Sequence, residues 1–367
     1  MTHTSESPVQ TGQAQINAPY DKSNWVALSA NYEHAAAIDA NGYVWAWGKN
    51  DKGQLGLGPG KADRYTAPQR VGTIKAVSVA TGTFHTLIVD DQNQLWGAGM
   101  SAVGALGNQG MTAPLWNLTL LGGFTRMGDI LEVHSKRDIA VARTSRGMWI
   151  AWGDNTRGGV GVDSNDDYIT TPGVLFGVGN TVVQVSVGID VGAAVTSTGD
   201  LWVWGDNSSG QVSAVAPAFI GSKAIDVTKA TTKAGQWAKV AAGQTHLLGL
   251  TKSNTLWAWG RGNAGQLGLG EGMNPASSTP MAVEVLPYSG VKSYVSIEAS
   301  KDCSGVITES DDGTRSLYLW GNNGYGQVTS DSDSYSYGWV PDQPIGSTDL
   351  PTWFALQLGD GFTTALA

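Results

Sequence analysis

One recurring stretch organises this sequence, and its clearest copy is LWAWGRGNAGQLGLG, from Leu256 to Gly270. Near-copies begin at Val44, Leu95, Trp149, Leu201 and Leu317. The glycine that closes the aromatic run falls at residues 48, 99, 153, 205, 260 and 321, so the intervals are 51, 54, 52, 55 and 61 residues. A period of about 50 residues indicates a repeat architecture in which successive units share a core.

The repeats occupy the chain from about residue 25 to residue 367 and leave no room for a second domain. We therefore predict two parts, an extended polar arm over residues 1–24 and one repeat domain over residues 25–367. The 50 glycines and 15 tryptophans fit such a domain, because short repeats need many turns and large buried anchors.

Each unit has two halves. The first, such as WVALSANYEHAAAI from Trp25, is typical of two short strands around a turn, and the second is a Trp-x-Trp-Gly strand after a turn such as Asn41-Gly42. Residues two apart in a strand share a face, so each tryptophan pair lies on one face and small residues lie on the other. These pairs are Trp45 and Trp47, Trp202 and Trp204, and Trp257 and Trp259. Four short strands per unit, repeated radially, predict an all-β fold, a β-propeller with four-stranded antiparallel blades.

The sequence contains seven copies of the first half of the repeat but six copies of the second half. The last blade is then incomplete after Trp353 to Ala367, and an open sheet edge is an aggregation hazard. We expect the N-terminal arm, around residues 13–18, to complete blade seven. The alternative is a strand supplied by a partner.

The repeat resembles the regulator of chromosome condensation repeat family. The resemblance rests on Trp-x-x-Val-x-x-Gly-x-x-His followed by Gly-x-Leu-Trp-x-Trp-Gly-x-Asn-x-x-Gly-Gln-Leu-Gly, and it covers about residues 25–367. It implies a single seven-bladed propeller that binds another protein on one face, in a divergent bacterial or phage-type member. The third unit departs most, with Ser135 and Asp138 aligned to the expected Gly and His.

Two functions of that family are not supported by the residues present. The chromatin-type exchange factor has a basic tail, whereas the arm here carries Lys22 against Glu6 and Asp21. The photoreceptor members carry Gly-Trp-Arg-His-Thr, whereas the corresponding segments here are GTFHT from Gly82 and GQTHL from Gly243.

Composition and charge argue against several further classes of protein and of partner. A net charge of −9 and a pI near 4.9 disfavour nucleic acid as a partner, because phosphates are bound by Lys and Arg. The single cysteine, Cys303, excludes an internal disulfide. We find no signal peptide and no apolar run of 18 residues, and we predict a protein that is cytoplasmic on synthesis and does not insert into membranes.

Candidate catalytic and metal-binding residues are better explained as structure. His34, His85 and His246 share a repeat position that is filled elsewhere by Asp138, Val191, Cys303 and Phe362, which predicts a packing or turn-bonding role. The stretch from Asp163 begins like a calcium loop, but Tyr168 and Val174 stand where Gly and Glu are required. We predict a non-enzymatic protein without cofactor or metal, for which a small-molecule ligand is not expected.

Three long connections are the candidate partner-binding segments, over residues 108–127, 271–292 and 329–352. Aromatic and acidic residues suit protein recognition. The candidates are Tyr335, Tyr337, Trp339, Asp331, Asp333 and Trp116. The alternative is that these side chains cover the rim of the propeller, and for the leucine-rich first connection we favour folding back on the core.

Three functions are compatible with this sequence. The favoured one is a protein-interaction or structural module, specifically a bacteriophage tail, collar or head-decoration protein, because the chain is rich in Ser, Thr, Asn and Gly with few charges. The alternatives are a regulatory propeller similar to the guanine-nucleotide exchange factors of the family, and an inhibitor or carbohydrate-binding propeller.

Overall fold

The structure is a computed structural model that describes residues 25–101, 103–107, 113–175, 181–213, 224–227, 235–269, 276–283, 291–324, 328, 355–358 and 363–366. These ranges contain 24 β-strands and one 3-10 turn, Thr125–Met127. The predicted all-β class is confirmed. Among these residues, no helix is long and apolar enough to span a membrane. The predicted arm, residues 1–24, lies outside the described residues, and so does its expected contribution to blade seven.

The strands form antiparallel blades in chain order. Blade 1 consists of β1 (Trp25–Asn31), β2 (His34–Asp39), β3 (Tyr43–Lys49) and the first part of β4 (Arg64–Thr81). Blade 2 consists of the last part of β4, β5 (His85–Asp90), β6 (Leu95–Gly99) and β7 (Leu115–Leu120). Blade 3 consists of β8 (Ile130–Lys136), β9 (Ile139–Thr144), β10 (Trp149–Asp154) and β11 (Tyr168–Val174). Blade 4 consists of β12 (Val182–Val187), β13 (Val191–Thr196), β14 (Leu201–Gly205) and β15 (Ile225–Asp226).

The later blades follow the same order. Blade 5 consists of β16 (Trp237–Ala242), β17 (His246–Thr251), β18 (Leu256–Gly260) and β19 (Ser277–Ala282). The described strands of blade 6 are β20 (Val291–Ser300), β21 (Cys303–Ser310) and β22 (Arg315–Gly321). Those of blade 7 are β23 (Ala355–Leu358) and β24 (Thr363–Leu366).

The first strand of each blade is the innermost, and these seven inner strands form a closed ring. Each contacts the next in the order β1, β4, β8, β12, β16, β20 and β23, and β23 contacts β1. The seven-bladed propeller predicted from the repeats is thus present, with its channel along the axis of the inner strands.

The blades pack large face on small face, as the alternation in the sequence requires. Trp204 lies in one apolar cluster with residues of blade 3, while Val203 lies in another with Trp237 and Trp259 of blade 5. The second tryptophan of each pair is buried and the first is partly exposed. Indole nitrogens add polar ties between blades, since Trp204 Nε1 donates to the Gly159 carbonyl at 2.9 Å.

Two sequence-based assignments were wrong in detail. The first two long connections each carry the outermost strand of a blade, β7 and β19, because a blade needs a fourth strand to cover its third. In the third unit, Ile139 lies opposite Gly153 as His34 lies opposite Gly48. Ile139 therefore takes the histidine position and Lys136 the glycine position, one residue beyond Asp138 and Ser135 respectively.

Candidate interaction surface

The ring has two ends that differ in chemistry. At one end, the turn face, the chain passes from the first to the second strand of blades 1 to 6. These inner turns are residues 32–33, 83–84, 137–138, 189–190, 244–245 and 301–302. At the other end, the hairpin face, the second strand turns into the third, as between Asp39 and Tyr43.

Each inner turn is held by the glycine that ends the Trp-x-Trp-Gly strand. Lys49 N donates to the Glu33 carbonyl at 2.8 Å, and the equivalent bond joins Asp154 N to the Asp138 carbonyl at 2.9 Å. The approach is so close that a Cβ on Gly48 would lie 2.4 Å from the Glu33 oxygen. Gly48 also has a φ of 99°, which favours glycine. The recurring glycine is therefore required by contact as well as by conformation.

Backbone hydrogen bonds also join inner turns of neighbouring blades. Thr83 N donates to the Arg137 carbonyl at 2.8 Å, and Gln244 N donates to the Lys301 carbonyl at 3.2 Å. Ile189 N donates to the Gly243 carbonyl at 3.2 Å. A surface that is ordered before it meets a partner loses less conformational entropy on binding.

Large side chains project from this rigid frame. Tyr32 is 37% exposed and meets the half-buried Phe84 edge-on, with ring centroids 5.7 Å apart. Arg137 and Lys301 are exposed on blades 3 and 6. Tyr32 and Arg137 hold positive φ angles of 53° and 51°, a conformation that few non-glycine residues adopt. Tyr and Arg are enriched among the residues that dominate protein–protein binding energy.

Two carboxylates, those of Asp138 and Asp190, lie near the charge of Arg137 on the turn face. Burial raises the pKa of Asp138 and of Asp190, and the charge of Arg137 opposes both shifts. On blade 1 the balance differs, because hydrogen bonds from Lys49 at 2.6 Å and Arg64 at 3.0 Å hold the pKa of Glu33 below its usual value. The turn face thus carries aromatic and ion-paired side chains at blades 1 and 2, and Asp138 and Asp190 near Arg137 at blades 3 and 4.

The hairpin face offers an apolar alternative. The inner strands carry a β-bulge near their start, as between Trp25 and Ala27, and the extra residue points out of the core. These residues are Val26, Val77, Leu131 and Val183, exposed by 61%, 55%, 41% and 48%. All four lie at the hairpin-face end of an inner strand.

The partner-binding residues expected from sequence are placed only in part. Tyr335, Tyr337, Trp339, Asp331 and Asp333 lie outside the described residues, so their role stays a prediction. Trp116 lies half-buried on β7 against the turn at Gly53 of blade 1, where a Cβ would be 2.9 Å from the Trp116 Cα. Sequence reasoning missed Tyr32, Arg137 and Lys301, because short turns between buried strands show no compositional signal.

The three repeat histidines are buried and each bonds to the following blade. His34 Nε2 lies 3.1 Å from the His85 carbonyl, and His246 Nε2 lies 2.9 Å from Ser304 Oγ. Ser304 Oγ donates its own proton to the Gln266 carbonyl, so it accepts from the imidazole. Such bonds need the neutral Nε2–H tautomer. Burial lowers the pKa of His34 to about 4 and that of His85 and His246 to about 3.

The same tie is made by His85, whose Nε2 lies 3.0 Å from Ser135 Oγ of blade 3. Two of the rings lie against a glycine three residues earlier, since a Cβ on Gly82 would lie 2.0 Å from His85 Cε1 and one on Gly243 would lie 2.4 Å from His246 Cε1. Before His34 the same position is Asn31. In the described part of the chain, no group of three or more His, Cys, Asp or Glu residues could hold a metal ion.

Comparison with known proteins agrees with this architecture. Two family models, both described as regulator of chromosome condensation (RCC1) repeat, match the chain. One matches residues 41–89 and 253–307, and the other matches residues 25–54, 182–211 and 237–266. The RCC1 (Prp20) chain of the yeast complex with Kap60 superimposes with a TM-score of 0.70 at 20% identity, over 100% of this chain and 84% of that one.

Curated relatives are similar over most of this chain. The ultraviolet-B receptor UVR8 of Arabidopsis thaliana is 30% identical over 272 residues, which are 72% of this chain and 58% of the receptor. The secretion-regulating guanine nucleotide exchange factor of Mus musculus is 28% identical over 302 residues, 79% of this chain and 62% of that protein. The chain thus spans about three fifths of each relative's length. With repeats, blades and relatives in agreement, the chain belongs to the regulator of chromosome condensation (RCC1) repeat family.

Proposed function

We propose that this chain is a non-catalytic, regulatory propeller that binds a protein partner on its turn face. The observation that carries the proposal is the set of exposed aromatic and charged side chains, Tyr32, Arg137 and Lys301, on inner turns that backbone hydrogen bonds hold together. The protein-binding relatives support it, since the yeast RCC1 structure is a complex with Kap60. The virion role expected from composition has no support among the relatives described above.

A comparison of the two faces tests this assignment. The turn-face variant is Tyr32→Ala with Arg137→Ala, and the hairpin-face variant is Val77→Ser with Leu131→Ser. Each removes two exposed side chains from two blades. Proteins that wild-type propeller retains from extracts of the producing cells are purified, and their affinities for the three forms are measured by calorimetry.

The turn-face variant is expected to bind at least about tenfold more weakly, because truncating a dominant interface residue costs about 2 kcal/mol or more. The hairpin-face variant is expected to bind like wild type. Weaker binding by the hairpin-face variant, with wild-type binding by the turn-face variant, would place the site on the hairpin face near Val77 and Leu131. Equal binding by all three forms would place it on neither face.

A second function is stimulation of nucleotide exchange on a small GTPase. The specific support is the similarity to the mouse exchange factor over 79% of this chain. Release of fluorescent GDP from a panel of small GTPases measures it. Acceleration that is lost in the turn-face variant would unite the two functions, whereas no acceleration across the panel would remove exchange activity from the proposal.

A further inference from the structure

A lysine crosses the central channel. Lys136 ends β8 at the position that Gly82, Gly188 and Gly243 take in other blades, and it is 8% exposed. Its Nζ donates to the Leu358 carbonyl on β23 at 2.5 Å. Two inner strands separate β8 from β23 on one side of the ring and three on the other. The side chain therefore ties blade 3 to blade 7 across the axis.

The carboxyl group of Glu298 lies near this hydrogen bond. Gln357 Nε2 on β23 donates to Glu298 Oε1 on β20 at 3.3 Å, which joins blade 7 to blade 6. Burial raises the pKa of Glu298 to about 7, and the charges of Lys136 and His134 oppose that shift. Gln357 therefore connects Glu298 to the strand that accepts the Lys136 bond, one residue before Leu358.

The other titratable groups around Glu298 and β20 each have a partner or are neutral. Lys239 on β16 donates to the Val295 carbonyl at 2.8 Å, a bond between adjacent blades. His246 on β17 is neutral, because burial lowers its pKa to about 3. Glu309 on β21 is bonded to Arg315 at 2.9 Å. His134 on β8 lies 3.7 Å from Glu132.

We propose that Lys136 and Glu298 form an axial latch that holds the last blade in the ring, and that ionisation of Glu298 loosens this latch. The neutral acid leaves the ammonium to the Leu358 carbonyl, whereas the carboxylate competes for it and draws water into the channel. Because the folded protein favours the protonated acid, its contribution to stability falls as pH rises from about 4.5 through about 7.

Hydrogen exchange of β23 and β24 tests the latch in the full chain. Protection factors, corrected for the intrinsic pH dependence of exchange, are measured from about pH 5.5 to about pH 8. The variants are Lys136→Met, Glu298→Gln and the control Lys239→Met, which removes an inner-strand ammonium that bonds to the adjacent inner strand. Wild-type protection in residues 355–358 and 363–366 is expected to fall with rising pH.

Lys136→Met is expected to lower protection there by about tenfold at about pH 5.5, because a hydrogen bond to a charged donor is lost, and its difference from wild type is expected to shrink towards about pH 8. Glu298→Gln is expected to flatten the pH dependence, and Lys239→Met to leave β23 and β24 as in wild type. Wild-type protection that does not vary with pH, or equal loosening by the two lysine variants, would overturn the latch. If Lys136→Met does not fold, the comparison of wild type with Glu298→Gln decides.

Discussion

The glycine that ends each Trp-x-Trp-Gly strand can be tested by one methyl group. At Gly153 the φ angle is 114°, and a Cβ would lie 1.9 Å from the Asp138 carbonyl oxygen and 3.0 Å from Ile139 Cα. Both contacts are to backbone, so no side chain can rotate away. Gly153→Ala must therefore shift the inner turn that accepts a hydrogen bond from Asp154 N at 2.9 Å.

The expected loss of stability in Gly153→Ala has two parts. Holding a non-glycine residue in this region costs about 1–3 kcal/mol. A weakened turn hydrogen bond adds about 1 kcal/mol. We expect Gly153→Ala to lower the free energy of unfolding by roughly 2–4 kcal/mol. Gly147, in the β9–β10 hairpin of the same blade, has a φ of 76° and no atom within 4 Å of its added Cβ. Gly147→Ala should therefore cost only the conformational part, about 1–2 kcal/mol.

Urea denaturation of wild type and the two variants, with the m-values compared, gives both free energies. A Gly153→Ala variant that loses no more stability than Gly147→Ala would show that close approach to the inner turn is not what requires glycine.

Two further predictions concern the core and the arm. Since burial holds the pKa of His34 near 4 and that of His85 and His246 near 3, stability is expected to fall as pH drops from about 6.5 towards 3, and His85→Gln should reduce this slope in urea midpoints measured against pH. Deletion of residues 1–20 is expected to lower the melting temperature if the arm completes blade seven, and an unchanged value would favour completion by a partner.

The architecture could be predicted because its signals are local and repeated. Trp202 and Trp204 with the intervening Val203 specify a strand with one large and one small face, and Gly205 fixes the following turn. The binding surface could not be predicted in the same way. The exposure of Tyr32 and the conformation of Arg137 depend on contacts between blades about 50 residues apart, such as the bond from Thr83 to Arg137.

Residues that depart from the repeat pattern indicate contacts that the pattern itself does not predict. Aligning Ser135 with the turn glycine hid the fact that Lys136 occupies that position, and the strand register restores it. A lysine at a site that is glycine in three other blades brings a buried ammonium, which needs a partner that the repeat does not provide. Its hydrogen bond to Leu358 joins two inner strands, β8 and β23, that are not neighbours in the ring. In this ring, the ionisable residue in place of the turn glycine makes its contact with an inner strand that is not its neighbour, which the repeat pattern alone does not predict.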